Sequence, residues 1–338
     1  MTPFKVLAFD YAVAGGPGGR ARPQSLARQG AMLLDALLAD LRALPGVEPC
    51  TMGPAPGPQA PEPFEARFDA CLRGADAVWP LACESEGVLE RVSRAILRGN
   101  RVLLGSAPGA VRVAASKLAV ARALHDGGVA AIATYSPHAA MPDGEGAWVV
   151  KPDDGAGCLD TRLFSDRAAA LAWIRASAAE GYVLQPFVAG KLGSLSLLCR
   201  DGAARVLGCN QERVAMRDNR FHFLGSTVNG LEDADGALER LAQGVAAALP
   251  TLWGYVGVDF ILTERGAVVL DVNPRLTAAY AGLRASIGCN PAGLVIDLLT
   301  KPAAMLAPPD ARRAVSVDLG VEIGVDLGAD LGINPAVF

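Results

Sequence analysis

The 338-residue chain lacks any charge-free apolar run of the roughly 18 residues needed to cross a bilayer. Its longest candidate, Gly244 to Val258, is shorter and holds Pro250, so no transmembrane helix is expected. The N-terminal MTPFKVLAFDY shows no basic segment followed by an apolar stretch and a small-residue cleavage site. No leader is therefore expected, and the expected location is the cytoplasm. Histidine is scarce: His125, His138 and His222 form no metal-ligand spacing and indicate no His-centred triad. Cysteine pairing is absent too. Cys50, Cys71, Cys83, Cys158, Cys199, Cys209 and Cys289 are odd in number, widely spaced and include no CxxC, which argues against a disulfide framework or a zinc site and for buried thiols. Charge is sparse at 20%, and the net charge of −4 is too small and of the wrong sign for a general nucleic-acid or anionic-membrane binder. Aromatics are only 6%.

What is present is a 51% hydrophobic composition, much of it alanine, enough for a sizeable core and about two domains. Residues 4–9 read as a strand, followed by the glycine turn Gly15 to Gly19. Leu26, Leu33, Leu34, Leu37, Leu38 and Leu41 give helical spacing over residues 24–42. Pro45 to Pro63 reads as a Pro-rich connection. Strands at Ala77 to Pro80 and Arg101 to Gly105 flank a helix that ends near Gly99, so residues 1–106 form a doubly wound parallel lobe, α/β in class. The turn GGPGG fails as a dinucleotide fingerprint, because Ala21 stands at the third glycine position and Pro17 lies inside the turn. A glycine-rich turn beside a substrate pocket fits better.

The later segments are mixed. A helix starts at the N-cap Ser116, and strands run Ala147 to Pro152 and Tyr182 to Val188. Asp259 and Asp271 carry the strongest local argument. The run VGVDFIL-TERG-AVVLDVN reads as a hairpin with the three-residue loop Glu264-Arg265-Gly266. Asp259 then lies opposite Asp271, with Asn273 on the same face and Val258, Phe260, Leu262, Val268, Leu270 and Val272 on the other. Like charges facing each other on a sheet are destabilising, and two carboxylates with an amide oxygen suit Mg²⁺. The alternative is a bulge that slips the register, or one solvated aspartate. Lys117 lies in a first helical turn, where the dipole disfavours a cation. Lys151 ends a strand ahead of DDGAGC, where a lysine beside amides freed by glycine can hold phosphate oxygens.

The order of these elements (helix lysine, strand lysine with glycine loop, VLQPFVAG, then the Asp–Asp–Asn hairpin) resembles the ATP-grasp superfamily over about residues 100–300. The resemblance implies a pre-grasp doubly wound sheet over 1–106 and a two-lobed, α+β ATP-grasp fold over 107–190 and 191–305. A tail covers 306–338. It also implies that Lys117 and Lys151 contact ATP phosphates and that Gln185, Phe187 and Val188 form the adenine hinge. Asp259, Asp271 and Asn273 would hold Mg²⁺ or Mn²⁺, two ions, and Arg275 would face the transferred phosphoryl group. Gly190 to Gly193 lacks the acidic residue by which the family binds ribose, and Asp271 is one methylene shorter than the usual Glu.

Within the superfamily, FDYAVAGGPGG, ACESEGVLERV, SAPGAVRVAASK, KPDDGAGC, CNQERV and VNPRLTAAYAGL resemble the tyramine–glutamate ligase group of methanofuran- and methylofuran-type cofactor synthesis. That implies an ADP-forming ligase joining the γ-carboxylate of glutamate to tyramine, tyrosine or a related amine through an acyl phosphate. The alternatives are another amino-acid or peptide ligation, glutamate onto glutamate included, or a nucleotide-binding protein without chemistry. Tyr11 and the glycine turn lie at the carboxyl end of the first strand, and Glu84 and Ser85 at that of a second, where open α/β sheets place ligands. Glu84 would hold an ammonium group or simply serve as a helix N-terminal charge, and Arg213 would pair with an amino acid's carboxylate. The alternating tail from Ala314 is expected to add an edge strand or a homodimer contact.

Overall fold

A computed structural model describes residues 2–17, 24–53, 63–142, 145–177, 180–302 and 312–320. Gly18 and Gly19 of the glycine turn, and the tail beyond Gly320, lie outside the described residues. Among the described residues no helix is long and apolar enough to cross a membrane.

The first lobe is a parallel sheet of β1 (Phe4–Asp10), β2 (Val47–Cys50), β3 (Ala77–Leu81) and β4 (Val102–Leu103), in the order β2-β1-β3-β4. The last five residues of β1 are all buried, as expected where helices cover both faces. Alternation divides them. Val6 and Ala8 pack with Leu33, Leu37 and Leu41 of α1 (Gln24–Arg42). Leu7 and Phe9 face Phe68 and Leu72 of α2 (Phe64–Gly74) and Val92 and Ile96 of α3 (Val88–Arg98). Residues 47–50 correct the expected connection: they form β2, with Pro49 opposite Val6. The strand lies at the sheet edge, where a residue without an N–H is tolerated.

The second sheet is antiparallel. It contains β5 (Trp148–Pro152), β6 (Arg162–Phe164), β7 (Tyr182–Pro186), β8 (Lys191–Arg200), β9 (Ala203–Arg217), β10 (Arg220–Val228), β11 (Gly254–Thr263) and β12 (Gly266–Asn273). Their order is β12-β11-β8-β9-β10-β6-β5-β7. The helices α4 (Pro108–Ala114), α5 (Lys117–Asp126), α6 (Arg167–Ser177) and α7 (Ala237–Ala248) precede α8 (Tyr280–Ile287) and α9 (Pro291–Asp297) in the chain. Leu124 of α5 and Val245 and Ala246 of α7 share a core with Leu195, Leu197, Val256 and Val258. The two lobes are joined through α1. Its Asp40 is buried and accepts from Tyr280 Oη at 2.9 Å and Arg284 Nη1 at 3.1 Å, while Asn290 Nδ2 donates to its carbonyl at 2.8 Å.

The β11–β12 hairpin differs from the expected register near its turn. Thr263 pairs with Gly266, so the loop holds two residues, and Phe260 pairs with Val269. A bulge between Asp259 and Phe260 then restores the pairing of Asp259 with Asp271. The bulge reverses the side-chain parity between it and the turn: Val269 is in the core, whereas Leu270 lines the cleft described below.

Val315–Asp318 forms β13, antiparallel to Gly225–Val228 of β10 in the same chain, with Val317 in the core. Gly225 has φ +147 at a register shift, and a Cβ there would lie 2.2 Å from the Val317 carbonyl oxygen, so glycine is required. Arg213 clamps this strand, donating to Val317 O at 2.9 Å and to Asp318. Arg213→Ala is expected to leave substrate KM values unchanged and to cost at most about 1 kcal/mol, because the pair is partly solvent-exposed. Thermal unfolding and steady-state kinetics check both.

Candidate functional site

Two adjoining hollows of about 230 and 180 Å³ share Ala156, Gly157, Cys158, Asp259, Leu270 and Asn273, and form two halves of one cleft. One half is walled by Lys117, Lys151 and apolar Ile132, Val149, Phe187 and Ile261. The other reaches the first lobe through Asp10, Gly30 and Cys83 and carries Glu212 and Arg275.

In the first half, Lys117 is buried at the start of α5. The cost of placing a cation there is offset by Gly155 O at 2.6 Å, Asp153 O at 3.3 Å and Asp271 Oδ2 at 3.1 Å. The helix start is capped twice, by Ser116 Oγ accepting from Ala119 N at 3.1 Å and Asp153 Oδ1 accepting from Leu118 N at 2.9 Å. The loop 153–158 therefore follows this helix, and it also binds the first lobe: Ser85 Oγ donates to Asp154 O at 2.7 Å and Glu86 N to Asp154 Oδ2 at 2.9 Å. Burial pushes the Lys151 ammonium down to about 8, with the charge of Lys117 acting in the same direction. Burial raises the Cys158 thiol to about 12, which leaves it unreactive.

Gln185 is buried, donates from Nε2 to Thr134 Oγ1 at 2.9 Å and lines this half together with Phe187 and Val188. The Phe187 amide is taken by Ala147 O at 2.9 Å.

Where the halves meet, Asp259 and Asp271 face each other. Burial raises Asp259 to about 6, and the charge of Asp271 adds to the rise. Asn273 Nδ2 donates to Asp259 Oδ2 at 3.0 Å. Among the described residues no cluster of three or more His, Cys, Asp or Glu side chains has metal-holding geometry. The donor set here is two carboxylates and an amide, hard ligands that suit a divalent cation; Asp271 is now paired with Lys117, and the Asn273 amide oxygen with Arg275, so the cation would take their place. Arg275 anchors the far side. Its Nε binds Glu84 Oε2 at 2.8 Å and its Nη2 donates to Asn273 Oδ1 at 3.1 Å.

The structure thus brings Lys117, Lys151, Gln185, Phe187, Val188, Asp259, Asp271, Asn273 and Arg275 to one cleft. Glu84 touches the cleft only through Arg275, as the buried partner of that residue. Three expected substrate residues lie elsewhere. Tyr11 is buried against Phe64, and its hydroxyl donates to Pro17 O at 2.9 Å. Ser85 holds the 153–158 loop, and Arg213 holds β13. Sequence reasoning missed Glu212, next to Arg213 on β9. Successive strand residues face opposite sides, so the cleft receives the glutamate and not the arginine. Glu212 Oε1 accepts from Ser194 Oγ at 2.5 Å and Ser226 Oγ at 3.3 Å, and burial with the nearby Asp259 charge raises its carboxyl to about 8.

Comparisons with known proteins agree with this geometry. Residues 114–279 match the family described as ATP-grasp domain, and residues 47–111 that described as pre ATP-grasp 3 domain. A stretch of 105 residues is 29% identical to a tyramine–L-glutamate ligase of Methanocaldococcus jannaschii, covering 31% of this chain and 32% of that protein. A solved ATP-grasp superfamily protein from Archaeoglobus fulgidus aligns over 93% of this chain and 92% of its own, at TM-score 0.70 and 18% identity. An L-amino acid ligase from Bacillus licheniformis aligns over 89% of this chain and 75% of its own, at TM-score 0.62 and 18% identity. At these identities the structural likeness speaks for the fold.

Proposed function

For this chain, which pairs a pre-ATP-grasp domain with an ATP-grasp domain and has the ATP-grasp fold, we propose an ATP- and Mg²⁺-dependent carboxylate–amine ligase. In this reading residues 1–106 are the pre-grasp part, 107–190 and 191–305 the two halves of the grasp, and 306–338 a tail. The observation that carries it is the divided cleft: phosphate-binding lysines and an apolar wall on one side, Arg275 and Glu212 on the other, and Asp259 with Asn273 at the junction.

Gln185, Phe187 and Val188 border the base, and Lys117 and Lys151 neutralise phosphate oxygens. Asp259, Asp271 and Asn273 would hold Mg²⁺, which when bound offsets charge developing on the β- and γ-phosphates. A substrate carboxylate oxygen bonds to the γ-phosphorus as the β–γ bridge breaks, giving an acyl phosphate and ADP. The amine nitrogen then bonds to the acyl carbon, losing a proton as inorganic phosphate leaves. Arg275, fixed by Glu84 and Asn273, faces the transferred group and stabilises its charge. The loop 153–158, tied to both lobes, keeps water from the acyl phosphate.

The substrate pair proposed is the γ-carboxylate of L-glutamate with tyramine, tyrosine or a related aromatic amine, supported by the 105-residue likeness to the tyramine–L-glutamate ligase and by the apolar walls of the second half. Glutamate labelled with ¹⁸O in its γ-carboxylate is expected to pass one label to inorganic phosphate. Phosphate without label would contradict the acyl-phosphate route.

Lys151 adds a pH prediction. Phosphate binds the protonated lysine, whose value of about 8 rises when ATP arrives. ATP binding at about pH 8.5 is therefore expected to take up a proton, and affinity to weaken by up to about tenfold per unit as pH climbs above that value. Calorimetry in buffers of different ionisation enthalpy measures the uptake. A pH-independent affinity across this range would contradict it.

A further inference from the structure

Glu212 sits in the substrate half of the cleft with one carboxylate oxygen left over. Its Oε1 is fixed by Ser194 and Ser226, and Ser194 itself accepts from Asn210 Nδ2 at 3.1 Å. The carboxylate is therefore held in place by hydroxyls from two neighbouring strands, β8 and β10. Its Oε2 is closed off from solvent and has no hydrogen-bond partner. Leaving a buried carboxylate oxygen unpaired costs free energy, so the position calls for a donor that the described residues do not supply. Among the described residues Arg213 is paired with Asp318, Arg275 with Glu84 and Lys117 with Asp271, and Lys151 lines the other half of the cleft.

The rest of this half-cleft has matching chemistry. Its acids are Asp10, Glu212 and Asp259, and its basic residue Arg275 is paired with Glu84. Phe223 lines this half, and Leu192, Val214 and Leu270 line both halves. A buried acid with one unpaired oxygen, set among apolar side chains, suits a primary ammonium carried on an apolar body, whose N–H groups would satisfy that oxygen and whose charge would balance the carboxylate.

We propose that Glu212 is the residue that binds the ammonium group of the amine substrate, in a subsite that admits an apolar or aromatic side group. The assignment rests on the ligase reading above. In it, the amine docks as the ammonium ion against Glu212 Oε2, next to the junction where the acyl phosphate forms. It is delivered as the free amine once its proton passes to the Glu212 carboxylate.

The test compares the wild type with Glu212→Gln, which keeps the shape and the hydrogen bond to Ser194 but removes the charge, and with Glu212→Asp, which keeps the charge one methylene short. Each is assayed with Mg²⁺-ATP and L-glutamate. The nucleophile is either the best-turned-over member of a panel of tyramine, tyrosine and L-glutamate, or hydroxylamine, which is small and uncharged near neutral pH. Glu212→Gln is expected to raise the KM for the charged amine by roughly 10- to 100-fold, as for loss of a charged hydrogen bond. With hydroxylamine the loss is expected to be at least about tenfold smaller, and Glu212→Asp to recover part of the affinity for the charged amine. Equal losses with both nucleophiles, or a changed Mg²⁺ requirement, would overturn the assignment by placing Glu212 on the carboxylate substrate or the metal. Absence of both ADP and hydroxamate from the wild type would instead overturn the ligase reading on which it rests.

Discussion

Asp271→Asn is expected to lower turnover with Mg²⁺-ATP by at least about 1,000-fold, equivalent to about 4 kcal/mol of lost transition-state stabilisation. The substitution leaves the strand pairing with Asp259 in place and removes one of two facing negative charges. It also takes the charged partner from buried Lys117, which keeps the Gly155 and Asp153 carbonyls, so the fold should survive with a melting temperature lowered by roughly 5 °C. One spectroscopic sign accompanies it. Asp259, raised to about 6 by burial and by the charge of Asp271, loses the second cause, so its value falls. Wild-type turnover in the variant would show that the carboxylate pair does not hold the metal.

Arg275→Ala is expected to remove both activity and stability. Arg275 joins the two lobes through Glu84, and both side chains are largely buried, 16% and 7% exposed. Truncation leaves Glu84 buried with neither carboxylate oxygen paired, since Oε1 already has no partner. Breaking such a pair costs about 3–5 kcal/mol, a fall of roughly 5–15 °C in melting temperature. Turnover should fall by about 1,000-fold from loss of charge at the transferred group. Glu84→Gln, which retains a hydrogen-bonding oxygen for the guanidinium, should destabilise less. Calorimetric unfolding separates the two variants. If Arg275→Ala unfolded at the wild-type temperature, the ion pair would not be a junction between the lobes.

The Asp259–Asp271 pair was legible in the sequence because the pattern around it is local. The hairpin turn, the alternation and the two carboxylates all lie within about 20 residues. Even so, the loop holds two residues rather than the expected three, and the bulge beside Asp259 compensates for the difference. Bulges leave no reliable mark in a single sequence, so Leu270, expected on the face away from Asp271, lines the cleft beside it. The parallel first lobe was likewise legible from α1 and the apolar runs of β1 and β3. Its edge strand β2 was hidden by Pro49, which is tolerable only because the strand has a single neighbour.

The substrate half was harder to read because its geometry is tertiary. Glu84 looked like an ammonium site until its partner Arg275, 191 residues away, came into contact. Tyr11 carries the sequence signal of a pocket aromatic, yet it packs in the core beside Phe64. Arg213 and Glu212 are neighbours that strand parity sends to opposite faces of β9. Nothing local states which face of β9 turns to the cleft until Ser194 and Ser226 are seen to hold the carboxylate.

The central claim is that this cleft joins a carboxylate to an amine at the expense of ATP. ADP release by the purified chain with Mg²⁺-ATP, L-glutamate and a panel of amines, with products read by mass, tests it most directly. The account predicts ADP formation that requires both glutamate and an aromatic amine such as tyramine, with one γ-glutamyl amide formed per ADP. ADP release that ignores both co-substrates, or none with any carboxylate and amine pair, would contradict it.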